Sequence, residues 1–439
     1  MSPQLVFLSL FLGLISGPND VSLQAGPEIK SIRILLDGRQ IAAMKQPPWH
    51  ATVDFGPSIV PGELAAVGYD AHGYEAARVT QTVNLPRPEA EFVIVLQNDA
   101  SGTPRSAALR WEHLLGAKPV RTSLTIDGKP IPLDSTSSAR LPRLDMNHPH
   151  VIAAEMKFDD GFNMRRELIA GGAISYTADT QLTAVGVRQA TATPPADTGD
   201  CFTSAGSPVR MAAIEKSPAL VVVVLDPDPQ EAIGALSPAR NPSMYLSGRN
   251  DVRHLIPLES GTRMRVLWPF AKQHKTTSNA SAFLFPPSND IDASEGGLVW
   301  LLTRTYGERV EESEPRRIAD AVGVAGLEAI TSANRRAVVL ALSRFKDKST
   351  HDGASIRNYL ASIGVPLFVW SFTGPRPELR DTWGEVDDVS SHGKLKVAAA
   401  RLRAELASQR VAWIAADPVA ALRITPTGRC GITPMAAAR

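Results

Sequence analysis

Three hydrophobic patterns succeed one another along the chain. From about residue 32 to residue 168, apolar and polar residues alternate in short stretches broken by Asp, Gly and Pro, which predicts half-buried strands. From residue 219 onward, continuous apolar runs appear at 219–225 (ALVVVVL), 335–343 (RRAVVLALS), 365–372 (VPLFVWSF) and 411–416 (VAWIAA). Such runs fit strands buried on both faces of a parallel sheet. Helical stripes lie between them. Ile318, Val322, Ala325 and Ala329 share one face, with Gly323 and Gly326 allowing close approach to a sheet. Ile356, Tyr359, Leu360 and Ile363 form a second stripe ahead of a C-terminal Gly364, and Leu395, Ala398, Leu402 and Leu406 form a third. Strand and helix in alternation predict a doubly wound α/β domain over 210–425, followed by a tail over 426–439.

The alternating region contains a repeat. IRILLDGRQIA (32–42) and TSLTIDGKPIP (122–132) each break a strand at Asp-Gly, a strong hairpin signal. Asp70 follows Asp37 by 33 residues, and Asp160 follows Asp127 by 33, so both pairs are offset by 90. The pattern predicts one β-sandwich module present twice, over 28–88 and 90–172. Strand spacing fits the immunoglobulin-like class without its Cys…Trp…Cys core. Residues 173–209, rich in turn formers, read as a linker.

The third pattern is the opening run, LVFLSLFLGLI at 5–15, shorter than the ~20 residues that span a bilayer. With Leu-Gln-Ala ending at Ala25 it reads as a secretory leader over 1–25, although no Lys or Arg precedes Lys30. The alternative is a buried apolar strand. No later run reaches membrane-spanning length. Lys plus Arg is 46 and Asp plus Glu 45, a net charge of +1, which argues against an electrostatic nucleic-acid or membrane-surface binder. The two cysteines, Cys201 and Cys430, either pair in an exported protein or are unrelated thiols.

The second half resembles a von Willebrand factor type A domain in three blocks. ALVVVVLDPDPQ (219–230) stands where that family has its first strand and Asp-x-Ser-x-Ser loop; RRIADAVGVAGLEAI (316–330) is similar to its Asp-Ala helix. RRAVVLALSRFKDKS with SIRNYLASIGVPLFVWSFTG is similar to the strand, loop, helix and strand that carries Thr-Asp-Gly. With the modules upstream, the chain resembles bacterial exported proteins of the type A-related group. The resemblance implies a metal-ion-dependent adhesion site, and the departures from it are specific. Asp226 keeps the first position, while Asp228 and Gln230 replace the serines. Leu342-Ser343-Arg344 replaces Thr-Asp-Gly, and 315–317 is a Pro-Arg-Arg run. Asp226 and Asp228 either hold Mg²⁺ or Ca²⁺ weakly or cap a turn. Arg344, Arg316 or Arg317 is placed to fold back onto Asp226 and replace the metal by an ion pair.

Other chemistry-bearing residues are dispersed. His148 and His150 flank a proline in NHPHV, as two metal ligands or as a surface turn. Asp352 precedes a helical stripe and reads as its cap. Trp49 and Trp370 read as packing residues, whereas Trp383, in the polar segment ELRDTWGEVDD, reads as an exposed contact aromatic with Arg380 beside it. No HExxH, GxSxG, P-loop or GxGxxG motif is present. The expectation is a non-catalytic exported scaffold or interaction protein whose protein partner lies at the cell envelope, secreted or envelope-bound, without nucleic acid. The alternatives are a hydrolase with its site at the carboxyl edge of the α/β sheet, and a metal-dependent adhesion protein.

Overall fold

The computed structural model describes residues 5–9, 11, 13–86, 90–99, 103–113, 117–159, 163–171, 182–189, 201–204, 206–226, 256–273, 282–285, 290–293, 315–343, 346–416 and 418–435. They form two units, one of Met1–Pro86 with Leu182–Arg439 and one of Arg87–Gln181.

The first unit opens with seven strands: β1 (Leu5–Phe7), β2 (Pro18–Ala25), β3 (Ser31–Leu36), β4 (Arg39–Met44), β5 (His50–Asp54), β6 (Gly62–Tyr69) and β7 (Glu75–Val83). They pair as β1-β2-β5 and β4-β3-β6-β7. The inward faces of both sheets share a core that includes Phe7, Val21, Leu23, Ile32, Ile34, Trp49 and Leu64. Trp49 is thus a packing residue, as expected. β1 pairs with β2 (Leu5 opposite Ala25) and β2 with β5, so strands upstream of residue 28 take part in this module, with Leu5 and Phe7 buried.

The second unit has the same plan: β8 (Ala90–Asn98), β9 (Pro104–His113), β10 (Pro119–Ile126), β11 (Lys129–Ile131), β12 (Ser138–Arg140), β13 (His150–Phe158) and β14 (Asn163–Ala170). Its sheets are β12-β9-β8 and β11-β10-β13-β14, strand for strand the order of the first module. Three strands facing four in this order is an immunoglobulin-like sandwich. The Asp-Gly signal has a local cause. Asp37 and Gly38 take φ of 51° and 78°, Asp127 and Gly128 take 51° and 77°, and two positive φ values in a row are what a tight hairpin demands. Asp37 Oδ1 accepts the Glu63 N–H and Asp127 Oδ1 accepts the Val151 N–H, each at 2.9 Å, so both aspartates also pin the following strand. The offset of 90 does not persist past that point. Ile34 faces Ala66 and Leu124 faces Ala154, offsets of 90 and 88. The chain from Asp37 to the strand residue that donates to it spans 26 residues and that from Asp127 spans 24. Asp70 therefore aligns with Phe158, correcting the expected match to Asp160, which itself lies outside the described residues.

After the second module come β15 (Leu182–Gln189), β16 (Phe202–Ser204), β17 (Ser207–Val209) and β18 (Met211–Glu215). A larger sheet follows, built from β19 (Ala219–Leu225), β20 (Arg263–Leu267), β23 (Ile291–Asp292), β24 (Arg335–Leu342), β25 (Leu367–Ser371) and β26 (Val386–Asp388); a hairpin, β21 (Ala271–Gln273) with β22 (Ala282–Leu284), stands apart from it. Its order is β23-β20-β19-β24-β25-β26, with every pairing parallel except that of β20 with β23. β19 and β24 are buried at every position, as their unbroken apolar runs predict. On one face, α1 (Ile318–Ile330), α2 (Gly353–Ser362) and α3 (Pro377–Trp383) pack over Val222, Val224, Val338 and Leu340. On the other, α4 (His392–Ser408) packs over Val221, Val223, Ala337 and Val339. Gly323 and Gly326 differ from expectation. A methyl group at Gly323 would meet Leu14 and Ile356, and one at Gly326 would meet Leu360 at 3.1 Å, so the glycines admit the first module and α2 rather than the sheet.

The chain then returns through β27 (Gln409–Ala415), α5 (Pro418–Ala421), β28 (Thr425–Pro426) and β29 (Ile432–Pro434). β27 was expected in the parallel sheet. It lies instead in an antiparallel sheet of order β18-β27-β15-β29, and β16, β17 and β28 form a small sheet packed on it. β15–β18 and β27–β29 thus make one small β-layer among the described residues, and the parallel sheet and its helices lie between them in sequence. The expected linker and tail both supply strands to it. Cys201 and Cys430 are disulfide-bonded, with Cα atoms 5.5 Å apart at a sequence separation of 229, and so join the two halves of that layer. A loop of that size constrains the unfolded chain by about 5 kcal/mol in the loop-entropy account.

Candidate functional site

Parallel strands share a direction, so the loops leaving them converge at one edge, and ligands of open α/β sheets lie where the strand order reverses. Here that point falls between β19 and β24: the chain leaves β19 to build β20 on one side and later returns to β24 on the other. Asp226 follows β19 directly. Its backbone N–H donates to the Ala341 carbonyl of β24 at 3.0 Å. Its carboxylate is buried, 3% exposed, and Arg316 Nε donates to Oδ1 at 2.7 Å. Of the two of these arginines that are described, Arg316 and Arg317, Arg316 reaches Asp226. Arg344, Asp228 and Gln230 lie outside the described residues.

The start of α1 is held by residues that sequence reasoning missed. Its N-cap, Arg317, provides no side-chain bond. Asp347, from the loop after β24, accepts the Ile318 and Ala319 N–H groups at 2.9 and 3.1 Å and thereby satisfies helix donors that would otherwise be orphaned. Ser349 Oγ donates to Asp347 at 2.5 Å and accepts the Asp320 N–H at 3.1 Å. Asp320 is buried in the first turn. It accepts Arg317 Nε at 2.8 Å, the Thr350 N–H at 2.9 Å and the His351 N–H at 3.1 Å, and pairs with His351 Nδ1 at 2.9 Å. Burial opposes its charge, but His351, the two backbone N–H groups and Arg317 outweigh burial and hold the carboxyl well below the usual range. The signal for this cluster was present as Asp-x-Ser-x-His at 347–351.

Among the described residues the donor set does not fit a hard divalent cation. Such an ion takes six or more oxygens at octahedral or wider geometry. At Asp226 a guanidinium already stands at ion-pair distance, and the oxygens of Asp320 and Asp347 are occupied by N–H and hydroxyl donors.

The remaining sequence candidates separate. Trp383 is not an exposed anchor: it is 2% exposed and belongs to the core under α1 and α2. The polar segment that carries it is α3, with Pro377 at its first position and Leu379 and Trp383, four apart, both turned inward. Arg380 is exposed on the same helix, so the two do not form one contact patch. His148 stands in a surface turn and His150 opens β13. His150 Nδ1 pairs with Asp127 Oδ2 at 2.7 Å and His150 Nε2 lies 3.0 Å from the Asp145 carbonyl, while His148 reaches only Asp145, at 3.7 Å. Asp352 caps α2, accepting the Ser355 N–H at 2.8 Å, and Trp370 is fully buried. No helix among the described residues is long and apolar enough to cross a membrane.

No family model matches the chain, and no curated protein matches it. Solved structures do. The fibronectin(III)-like modules of Clostridium thermocellum CbhA are 11% identical and cover 38% of this chain and 94% of theirs, with a TM-score of 0.16. The central fibronectin-III array of RIM-binding protein is 10% identical over 47% of this chain and 79% of its own, at 0.24. Sidekick-1 immunoglobulin domains 1–5 are 8% identical over 51% and 43%, at 0.15. At these scores the likeness carries no argument, and the sandwich assignment rests on the strand order described above.

Proposed function

We propose that this chain is a non-catalytic, exported interaction or scaffold protein, built on two immunoglobulin-like modules and a type A-like α/β domain whose metal site is replaced by an ion pair. The observation that carries this reading is Arg316 on Asp226. A guanidinium is a permanent cation with a fixed fork of donors, so it balances the carboxylate without a metal. The reversal of strand order beside Asp226 and the antiparallel edge strand β23 support the α/β assignment. Export draws on the Cys201–Cys430 bond, since disulfides persist mainly in oxidising compartments. Two immunoglobulin-like modules with no recognised catalytic motif favour recognition over chemistry, and the protein partner lies at the cell envelope.

One observation favours the hydrolase alternative. Asp320 holds His351 through Nδ1, as the acid of a catalytic triad holds its base. Among the described residues no serine hydroxyl bonds to Nε2 of that histidine, and Ser349 is engaged in capping α1.

Both readings meet one experiment. The full chain is used to capture proteins from envelope extract in Mg²⁺ and in EDTA, and is treated in parallel with a fluorophosphonate probe. The proposal expects the same partner in both buffers and no labelling. Capture only in Mg²⁺ would restore metal-dependent adhesion. A labelled serine whose modification is lost in His351→Gln would establish the hydrolase.

A further inference from the structure

The parallel sheet ends on β26, a strand of three residues beside the five-residue β25. Their pairing starts with Val369 opposite Val386, so Leu367 and Phe368 run on without a β26 partner on that side. A cavity of about 540 Å³ opens there, within the size range of small-ligand sites. Leu367 and Phe368 line it from β25, Glu385 and Asp387 from the β26 segment, and Arg401 and Glu405 from α4. Phe368 is partly buried and rests on the core, leaving part of its surface toward the opening.

The charges of this cavity are unequal. Three carboxylates line it against one guanidinium. Arg401 is shared, reaching Asp387 Oδ1 and Glu385 Oε1 at 2.5 Å each. Glu405 Oε1 accepts Arg188 Nε at 3.0 Å and Gln409 Nε2 at 3.1 Å, both from residues outside the lining. The second oxygens of Glu385 and Glu405 have no hydrogen bond among the described residues. Burial pushes the Asp387 carboxyl above its ordinary range, with Arg401 drawing it down and Glu385 pushing it further up.

The geometry points to a binding site for a small organic cation, an ammonium or guanidinium group on a short apolar stem. Its head would lie among Glu385, Asp387 and Glu405, where carboxylate oxygens remain for charge-assisted hydrogen bonds. Its stem would lie along Phe368 and Leu367, and an aromatic face adds attraction for a cation. A small anion meets the wrong sign of charge. An added peptide strand finds only two open residues of β25. A bare metal ion leaves the apolar floor without a role.

The test is calorimetric titration of agmatine and 1,5-diaminopentane into the full chain, with 1,5-pentanediol and glutarate as matched neutral and anionic probes. The expected result is saturable binding of the two cations alone. Glu385→Gln, at a side chain 75% exposed, and Glu405→Gln should each weaken it about tenfold, with circular dichroism unchanged. The site is overturned if neither cation saturates, if the diol binds as well as the amine, or if both variants bind as wild type does. Binding of a lysine-containing peptide without binding of the free amines would also overturn it. None of these results bears on Asp226 and Arg316, at another edge of the sheet.

Discussion

Two carboxylate–arginine sites on the same sheet show how solvent access changes the meaning of one chemical pairing. At the switch point, Asp226 is 3% exposed and Arg316 25%, and the two groups meet at 2.7 Å. At the outer edge, Glu385 is 75% exposed and Arg401 42%, and the pair lines an open cavity. A buried charge cannot be left alone, because desolvation without a partner costs several kcal/mol. An exposed one is solvated by water when its partner leaves, and its pair contributes ~0–1 kcal/mol. The first site therefore reads as a structural lock and the second as a surface open to exchange.

That contrast predicts unequal consequences of removing either arginine. Arg316→Ala should destabilise the unit containing the sheet by about 3–5 kcal/mol in urea unfolding, because it removes a charged donor from a buried carboxylate. Adding Asp226→Asn should recover part of the loss. Arg401→Ala should cost ~1 kcal/mol or less. Equal losses at the two sites would break the comparison. Trp383 sharpens it from the same helical face: Trp383→Ala should cost about 3–5 kcal/mol as a core deletion. Arg380→Glu, three residues earlier and exposed, should stay within about ±0.5 kcal/mol. A stability-neutral Trp383→Ala would contradict its burial.

How far the sequence reaches is instructive at these residues. The Asp-Gly hairpins were legible because two consecutive positive φ values have a residue-level signature. The spacing beyond them was not, since a loop two residues shorter in the second copy leaves no mark in the strand pattern. β19, β24, β25 and the three longer helices announce themselves by burial and period. β27 was assigned to the wrong sheet because an apolar run reports that a strand is buried and says nothing of its neighbours. Trp383 was misread from the polarity of its flanks, although Leu379 four residues before it and Pro377 at a helix start were both visible. Arg316 could be named only as one of three, because which arginine reaches Asp226 depends on how β24, its loop and α1 meet.

The smallest expected effect lies in the second module, where an exposed pair links β10 to β13. The Asp127 bond raises the His150 pKa from its ordinary 6.5, partly opposed by burial, while the same bond and the Val151 N–H lower that of Asp127 from 3.8. A raised histidine stabilises below its unfolded pKa and loses that contribution as pH rises through the folded value. A lowered aspartate stabilises above its unfolded pKa and loses it as pH falls through the folded value. His150→Gln should therefore differ most from wild type between about pH 4 and 6.5, and the difference should shrink on both sides in thermal melts across pH. A difference that grows above pH 8 would place the histidine's role outside this pair.

The central claim, that an arginine occupies the role a metal has in the resembling family, meets its most direct test in isothermal titration of Mg²⁺, Ca²⁺ and Mn²⁺ into the full chain. The account predicts binding only at millimolar concentrations or none, in wild type and in Asp226→Asn alike. A micromolar dissociation constant that Asp226→Asn abolishes would contradict it.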